Sequence, residues 1–90
     1  MNKNELIEAV AERTGLAKSD AARAVEAVLG SVTDALRQGD AVSLAGFGAF
    51  VAKVRAARTG RNPRTGEAIA IPASRAPAFK AGKALKDALN

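Results

Sequence analysis

The chain has 90 residues and a net charge of +5, with 14 basic and 9 acidic side chains and neither cysteine nor histidine. This length indicates one domain, and the lack of cysteine excludes disulfides and thiolate chemistry. Because tyrosine is also absent, acid–base catalysis would fall to carboxylates and lysines alone, and a zinc site lacks its usual ligands. We therefore expect no enzyme, no cofactor and no metal site. A chain of this length buries only a small hydrophobic core. Because no disulfide reinforces that core, a dimer is favoured.

The N-terminal residues are polar and lead directly into an amphipathic segment. They lack the apolar core of a signal peptide, and no stretch approaches the roughly 20 apolar residues of a membrane span. We therefore expect a protein of the cytoplasm.

A first helix is predicted at about residues 3–13. Asn2 is a favoured N-cap residue, and Glu5 follows at the spacing of a capping box. Gly15 is the residue type that ends a helix in a left-handed conformation.

A longer second helix is predicted from about Ser19 to residue 38, with Gly39 as its stop. Gly30 lies in its middle and lowers its stability unless another element packs closely there. The short connection between the helices predicts an antiparallel hairpin over residues 1–39. One apolar stripe follows the second helix, made of Ala21, Val25, Val28, Leu29, Val32 and Leu36.

The periodicity changes to two after residue 40, which predicts a β-sheet over residues 40–80. Val42 and Leu44 alternate with small residues. A turn is expected at 46–48, and a second strand from Ala49 to Ala57.

A third strand is predicted around Ile69 and Ile71, at an edge because Pro72 follows it. Pro77 is expected to interrupt the chain again. A short helix at about 81–89 then completes the C-terminal segment, residues 81–90.

The segment between the second and third strands has no large apolar side chain over residues 55–68. Burial therefore cannot offset the entropy of ordering it against a core. Asn62, Pro63 and Gly66 are the residue types that a type I turn favours at its first, second and last positions. We therefore expect a two-stranded ribbon, at about 55–75, that extends into solvent.

Positive charge is concentrated in this ribbon. Residues 53–75 hold six basic side chains and one acidic side chain, whereas residues 1–52 carry a net charge of −2. Arginines recur every third residue from 55 to 64, which puts charge on both faces of a period-two ribbon. Such a ribbon suits a DNA groove, and arginine is favoured for phosphates and narrow minor grooves. The alternative is a basic loop that only keeps the domain in solution.

Other candidate residues each have two interpretations. Pro63 is either a turn former or an apolar wedge for a base step, and the two roles are compatible. Three lysines at helical spacing either bind phosphate or solubilise a helix end; they are Lys80, Lys83 and Lys86.

Three phenylalanines are the only aromatic residues of the chain. Packing in a core or a dimer interface is favoured over stacking on single-stranded bases, because no tyrosine or tryptophan accompanies them. They are Phe47, Phe50 and Phe79.

Several motifs resemble the bacterial HU and integration host factor family of histone-like proteins. They are Gly-Phe-Gly-Ala-Phe at 46–50, Arg-Thr-Gly-Arg-Asn-Pro-Arg-Thr-Gly at 58–66 and Phe-Lys-Ala-Gly-Lys-Ala-Leu-Lys-Asp at 79–87, with the opening residues 1–7. The resemblance spans the whole chain, and the motif at 58–66 is its most specific part.

The resemblance implies an α+β fold: a helical hairpin, a three-stranded antiparallel sheet with a protruding two-stranded arm, and a short C-terminal helix, in an intertwined dimer. Pro63 at the arm tip would wedge between base pairs in the minor groove. The arm would be lined by Arg55, Arg58, Arg61, Asn62 and Arg64. Phosphates along the flanks would be contacted by Lys3, Lys53, Arg75, Lys80, Lys83 and Lys86. The dimer core would hold Phe47, Phe50 and Phe79.

Within the family, Ala81 is similar to HU, because integration host factor usually has proline there. Ala17 departs from the serine or threonine that often begins the second helix. The HU branch implies binding to double-stranded DNA without sequence specificity, a preference for distorted, nicked or gapped duplexes, and a place in the bacterial nucleoid. A homodimer and a heterodimer with a related subunit both remain open. So do site-specific binding, an RNA-docking module and a protein-interaction dimer with an incidental basic loop.

Overall fold

A computed structural model describes residues 1–90. The chain forms two compact units, Met1–Asp34 and Ala35–Asn90. In chain order the elements are α1 (Lys3–Thr14), α2 (Lys18–Arg37), β1 (Val42–Leu44), β2 (Gly48–Arg55), β3 (Arg58–Arg61), β4 (Ala68–Ile71), β5 (Ser74–Ala81) and α3 (Lys83–Leu89). The predicted α+β class is confirmed.

Both ends of α1 have the predicted caps. The Asn2 side-chain oxygen accepts a hydrogen bond from the Glu5 backbone N–H at 2.9 Å. At the other end Gly15 has φ 74°, and its N–H donates to the Ala11 carbonyl at 2.9 Å. These bonds satisfy groups that a helix end would otherwise leave without partners.

The first unit has a small core where α1 packs against α2. Ile7, Ala21 and Val25 are the only buried hydrophobic residues of the chain. Ala21 and Val25 belong to the apolar stripe predicted for the second helix, so the helical periodicity correctly located that side of the core.

The start of α2 agrees with the prediction. The helix begins at Lys18, one residue before Ser19. The carbonyl of Ala17 accepts the first helical hydrogen bond, from the Ala21 N–H at 3.0 Å. Alanine has no side-chain oxygen to cap the free N–H groups of that turn.

Strands β1, β2 and β5 form a three-stranded antiparallel sheet in the order β1-β2-β5. A tight turn joins β1 to β2, and in it the Phe47 N–H donates to the Leu44 carbonyl at 3.0 Å. Gly46, at the third position of that turn, has φ 78°, a conformation that glycine adopts without steric penalty.

The prediction that Pro77 interrupts the chain is wrong. Pro77 lies inside β5, opposite Ala52 of β2. Because β5 is an edge strand, a residue without an N–H is tolerated there. The third strand of the sheet is therefore Ser74–Ala81, and the strand predicted around Ile69 and Ile71 belongs to a different sheet.

That second sheet is a two-stranded antiparallel ribbon of β3 and β4. It forms the arm, residues 56–73, which leaves the main sheet after the last β2–β5 pair, Arg55 with Ser74. All arm residues are exposed except Gly60, Asn62 and Ile71, which are half-buried. The predicted two-stranded ribbon is confirmed.

Helix α3 begins at Lys83 rather than at Ala81, because Ala81 still pairs with Gly48 in the sheet. Gly82 is the N-cap residue, and its N–H donates to the Phe47 carbonyl at 2.7 Å. None of the helices combines the length and apolarity needed to cross a membrane.

Candidate nucleic-acid interface

The strand register of the arm places arginine on both of its faces. Arg58 pairs with Ile71, and Arg61 pairs with Ala68. Because side chains alternate along a strand, residues 58 and 61 point to opposite sides. One face therefore has Arg58 beside the isoleucines of β4, and the other has Arg61 beside its alanines.

The Arg58 face contains packing that the sequence pattern did not reveal. Gly60 lies under the side chain of Ile71, whose Cδ1 atom would be 2.8 Å from a Cβ atom at that position. The missing side chain lets Ile71 cover the backbone of the opposite strand, which explains why both residues are half-buried. The only signal in the sequence was the glycine itself, within a strand.

The arm tip is closed by backbone hydrogen bonds around Asn62. Its N–H donates to the Glu67 carbonyl at 2.8 Å, and its carbonyl accepts from the Gly66 N–H at 2.7 Å. Gly66 has φ 74°. The turn is one residue longer than the predicted type I turn, since Gly66 lies four positions after Asn62 rather than three.

Two side chains stabilise this tip. The Asn62 Oδ1 atom accepts from the Arg64 N–H at 2.8 Å, and Arg61 Nη1 donates to the Gly66 carbonyl at 3.1 Å. Asn62, a predicted DNA-binding residue, thus has a structural role in the turn. Pro63 stands exposed at the tip, held in place by bonds made by its neighbours.

The remaining predicted arm residues, Arg55 and Arg64, are exposed. Arg55 closes β2 at the root of the arm, opposite Ser74. The arm therefore presents arginine at its root, along both faces and at its tip. Glu67, the one acidic residue of the region, has its backbone N–H bound to Thr65 Oγ1 at 3.3 Å.

The predicted flanking cations fall into two groups. Lys53, Lys80 and Lys86 are exposed in β2, β5 and α3. Lys3 forms an ion pair with Glu26 in the first unit.

Lys83 and Arg75 also have partners within the chain. Lys83 Nζ lies 3.4 Å from Asp87 Oδ2, an ion pair within α3. Arg75 donates to the backbone carbonyls of Leu36 and Arg37 at the end of α2. This contact joins residues far apart in the chain, and no local pattern could have revealed it.

The three phenylalanines form one cluster. The ring centroid of Phe79 lies 5.6 Å from that of Phe47 and 4.9 Å from that of Phe50. Phe47 and Phe79 nevertheless remain 47% and 40% exposed. The cluster is therefore packed on one side and open on the other.

Comparison with known proteins identifies the family. The model of the family described as "Bacterial DNA-binding protein" matches residues 1–90. The DNA-binding protein HU of Geobacillus stearothermophilus is 65% identical over 89 residues, covering 99% of each chain. The DNA-binding protein HU-beta of Pseudomonas aeruginosa is 60% identical over the full length of both chains.

A solved structure agrees in fold. The cocrystal structure of Anabaena HU with DNA has a TM-score of 0.84 and 46% sequence identity, and the match covers 99% of this chain and 97% of that one. Since the family model and these relatives all extend over essentially the whole sequence, the chain belongs to the bacterial DNA-binding protein family, among the proteins named HU.

Proposed function

We propose that the chain is an architectural protein that binds duplex DNA with little regard to sequence and bends it. The observation that carries this proposal is the arm. It is an exposed ribbon with arginine on both faces and proline at its tip. The 90 residues act as one DNA-binding domain located on the bacterial nucleoid.

The arm enters the minor groove. On the face of Arg61 the neighbouring side chains are small, namely Thr59, Ala68 and Ala70, so the backbone of the ribbon can approach the groove closely. Arg58 on the opposite face then reaches the other wall. Contacts to the sugar–phosphate backbone carry no direct sequence information, which accounts for binding without a preferred site.

Pro63 acts as the wedge at a base step. Its ring is exposed, and the tip bonds of Asn62 hold it at the end of the ribbon. Unstacking a base step costs a few kcal/mol, which the wider contact with bent DNA offsets. A nicked or gapped duplex has already lost part of its stacking, so the protein prefers it.

Phosphate contacts along the flanks supply much of the affinity. Lys53, Lys80 and Lys86 offer exposed ammonium groups. Lys3 and Lys83 would exchange a carboxylate for a phosphate, at little cost because exposed ion pairs contribute only about 0–1 kcal/mol. Each phosphate neutralised releases counterions, so affinity falls steeply with salt.

The protein acts as a dimer, with itself or with a related subunit. Its only buried hydrophobic residues are in the first unit, which is too small a core for a stable domain of this length. In the second unit Phe47 and Phe79 stay about half-exposed although they contact each other. A second copy that covers the open side of this cluster would complete the core and bring a second arm to the DNA.

A binding titration on two duplexes tests the proposal. Both have the same sequence, one intact and one with a short central gap, and both are measured at physiological salt. We expect tighter binding to the gapped duplex, and the same preference when the flanking sequence is changed.

Equal affinity for the two duplexes would overturn the wedge mechanism. A strong preference for one flanking sequence would instead assign site-specific binding. Tighter binding to a folded RNA than to the gapped duplex would assign an RNA-binding module.

A further inference from the structure

The C-terminal end of α2 is closed by two backbone hydrogen bonds. Gly39 has φ 77°, and its N–H donates to the Leu36 carbonyl at 3.1 Å. The Asp40 N–H donates to the Ala35 carbonyl at 2.9 Å. This pair of bonds is a Schellman motif, which satisfies those two carbonyls but not the next one, that of Arg37.

Arg75 supplies the missing donor. Its Nη1 atom donates to the Arg37 carbonyl at 2.7 Å and, at 3.3 Å, to the Leu36 carbonyl. Hydrogen bonds from a charged group are stronger than neutral ones, and a cation is favoured at the negative end of a helix. The guanidinium of Arg75 therefore joins β5 to the last turn of α2, and all of these residues lie within the second unit.

Arg75 also lies at the root of the arm. It pairs with Val54, next to the Arg55–Ser74 pair where the arm leaves the sheet. Val54 is 75% exposed, so apolar packing of that residue does not hold this end of the sheet. In addition to this backbone pairing with β2, the bonds of Arg75 tie the returning strand to the end of α2.

We propose that Arg75 is a positioning residue: it anchors the root of the arm to the C-terminal turn of α2 and so sets the direction in which the arm leaves the sheet. This assignment differs from the expectation that Arg75 binds a phosphate, because its Nη1 atom donates to two carbonyls at the end of α2. The consequence for DNA rests on the proposed bending function, whereas the anchor itself is a property of the free protein.

Two full-length variants separate an anchor from a phosphate contact. Arg75→Met keeps the aliphatic stem and removes the donors and the charge. Lys80→Met removes the charge of a lysine in the same strand, β5, that has no such contact. Each is compared with the unmodified protein for amide hydrogen exchange in the free state, for the salt dependence of binding to an intact duplex, and for the end-to-end distance distribution of the bound duplex measured by energy transfer.

For Arg75→Met we expect exchange at Gly39 and Asp40 to accelerate roughly tenfold, since a network that closes the helix end is lost. We also expect a broader distance distribution and an unchanged salt slope. For Lys80→Met we expect the opposite pattern. The slope of log K against log salt should become less negative by about 0.9, and the amide exchange rates of Gly39 and Asp40 should not change.

A fall in the salt slope for Arg75→Met as large as that for Lys80→Met, with unchanged exchange, would overturn the assignment. Should Arg75→Met fail to fold, the guanidinium protons of the unmodified protein provide the test. In NMR spectra they should exchange slowly and keep their shifts when duplex DNA is added, and a large shift on DNA addition would contradict the anchor. If the unmodified protein binds no DNA, the proposed function fails while the exchange data still decide whether Arg75 is an anchor.

Discussion

Phe79 lies directly opposite Phe50 in the sheet, and their ring centroids are 4.9 Å apart at an interplanar angle of 50°. Paired positions of neighbouring strands point to the same face, so the strand register itself brings these rings together. Phe47 approaches Phe79 from the turn that precedes β2. The resulting cluster has the composition of a core but the exposure of a surface, which is the physical basis for the proposed dimer.

Replacement of Phe79 by alanine should weaken the dimer. Phe79 contacts both of the other rings, so its loss removes the centre of the cluster and leaves a cavity. Large aromatic-to-alanine changes in packed sites cost about 3–5 kcal/mol. We therefore expect the dimer dissociation constant, measured by sedimentation equilibrium, to rise by at least a hundredfold.

Ile69→Ala is the matched control for this change. Ile69 is 43% exposed, close to the 40% of Phe79, but it lies in the arm, in β4. Its replacement should leave the dissociation constant unchanged. An unchanged constant for Phe79→Ala would mean that the cluster is not at the interface between copies.

Pro63→Ala should reduce DNA bending more than it reduces binding to a duplex that is already bent. The wedge contributes only when a base step has to be unstacked, and a pre-bent duplex has lost that stacking in advance. Energy transfer between the duplex ends reports bending, and a titration on a pre-bent duplex reports binding. Pro72→Ala is the control, because Pro72 is also an exposed arm proline but follows β4 at the root. If Pro63→Ala reduced binding to the pre-bent duplex by as large a factor as it reduced bending, the wedge would be excluded.

Arg58→Ala and Arg61→Ala should each lower the salt dependence of binding. If each guanidinium neutralises one phosphate, the slope of log K against log salt becomes less negative by about 0.9 per variant. Arg61→Ala should in addition loosen the tip, because the Arg61 side chain donates to the Gly66 carbonyl.

Arg23→Ala is the control for the arm arginines. Arg23 is 85% exposed on α2 and lies 3.7 Å from Asp20, so its removal changes the net charge by the same amount away from the arm. Its slope should match that of the unmodified protein. Slopes that fall equally for Arg23 and for the arm residues would indicate a diffuse charge effect rather than an arm in the phosphate field.

Gly48→Ala should destabilise the fold. A Cβ atom at this position would lie 2.5 Å from the Lys80 carbonyl oxygen and 2.6 Å from Cζ of the Phe79 ring. The backbone of β5 cannot yield as a flexible side chain could, and overpacking typically costs about 1–3 kcal/mol. Chemical denaturation should therefore show a free energy of unfolding that is lower by at least about 1 kcal/mol.

Gly30→Ala is the opposite case and the matched control. Gly30 is in the middle of α2, away from the apolar stripe, and apart from the adjoining helix backbone no atom lies within 4 Å of a Cβ atom placed there. Alanine is favoured over glycine in a helix by about 1 kcal/mol, so this variant should be more stable than the unmodified protein. A destabilised Gly30→Ala would show that another element packs on that face of α2.

The sequence by itself determined the features that depend on neighbouring residues. The caps of α1 at Asn2 and Gly15 were predicted because each uses a hydrogen bond that spans only a few residues. The ribbon and its charge were predicted for the same reason, since residues 55–68 contain nothing that a core could use.

Only the tertiary structure decided the features that depend on distant partners. Pro77 was expected to interrupt the chain, yet it lies in a strand because β5 is at the edge of the sheet. Arg75 looked like one more cation of the basic segment until its contact with the Arg37 carbonyl, 38 positions away in the chain, placed it at a helix end. Local propensities state what a residue can do, whereas the partner that satisfies its hydrogen bonds is chosen by the fold.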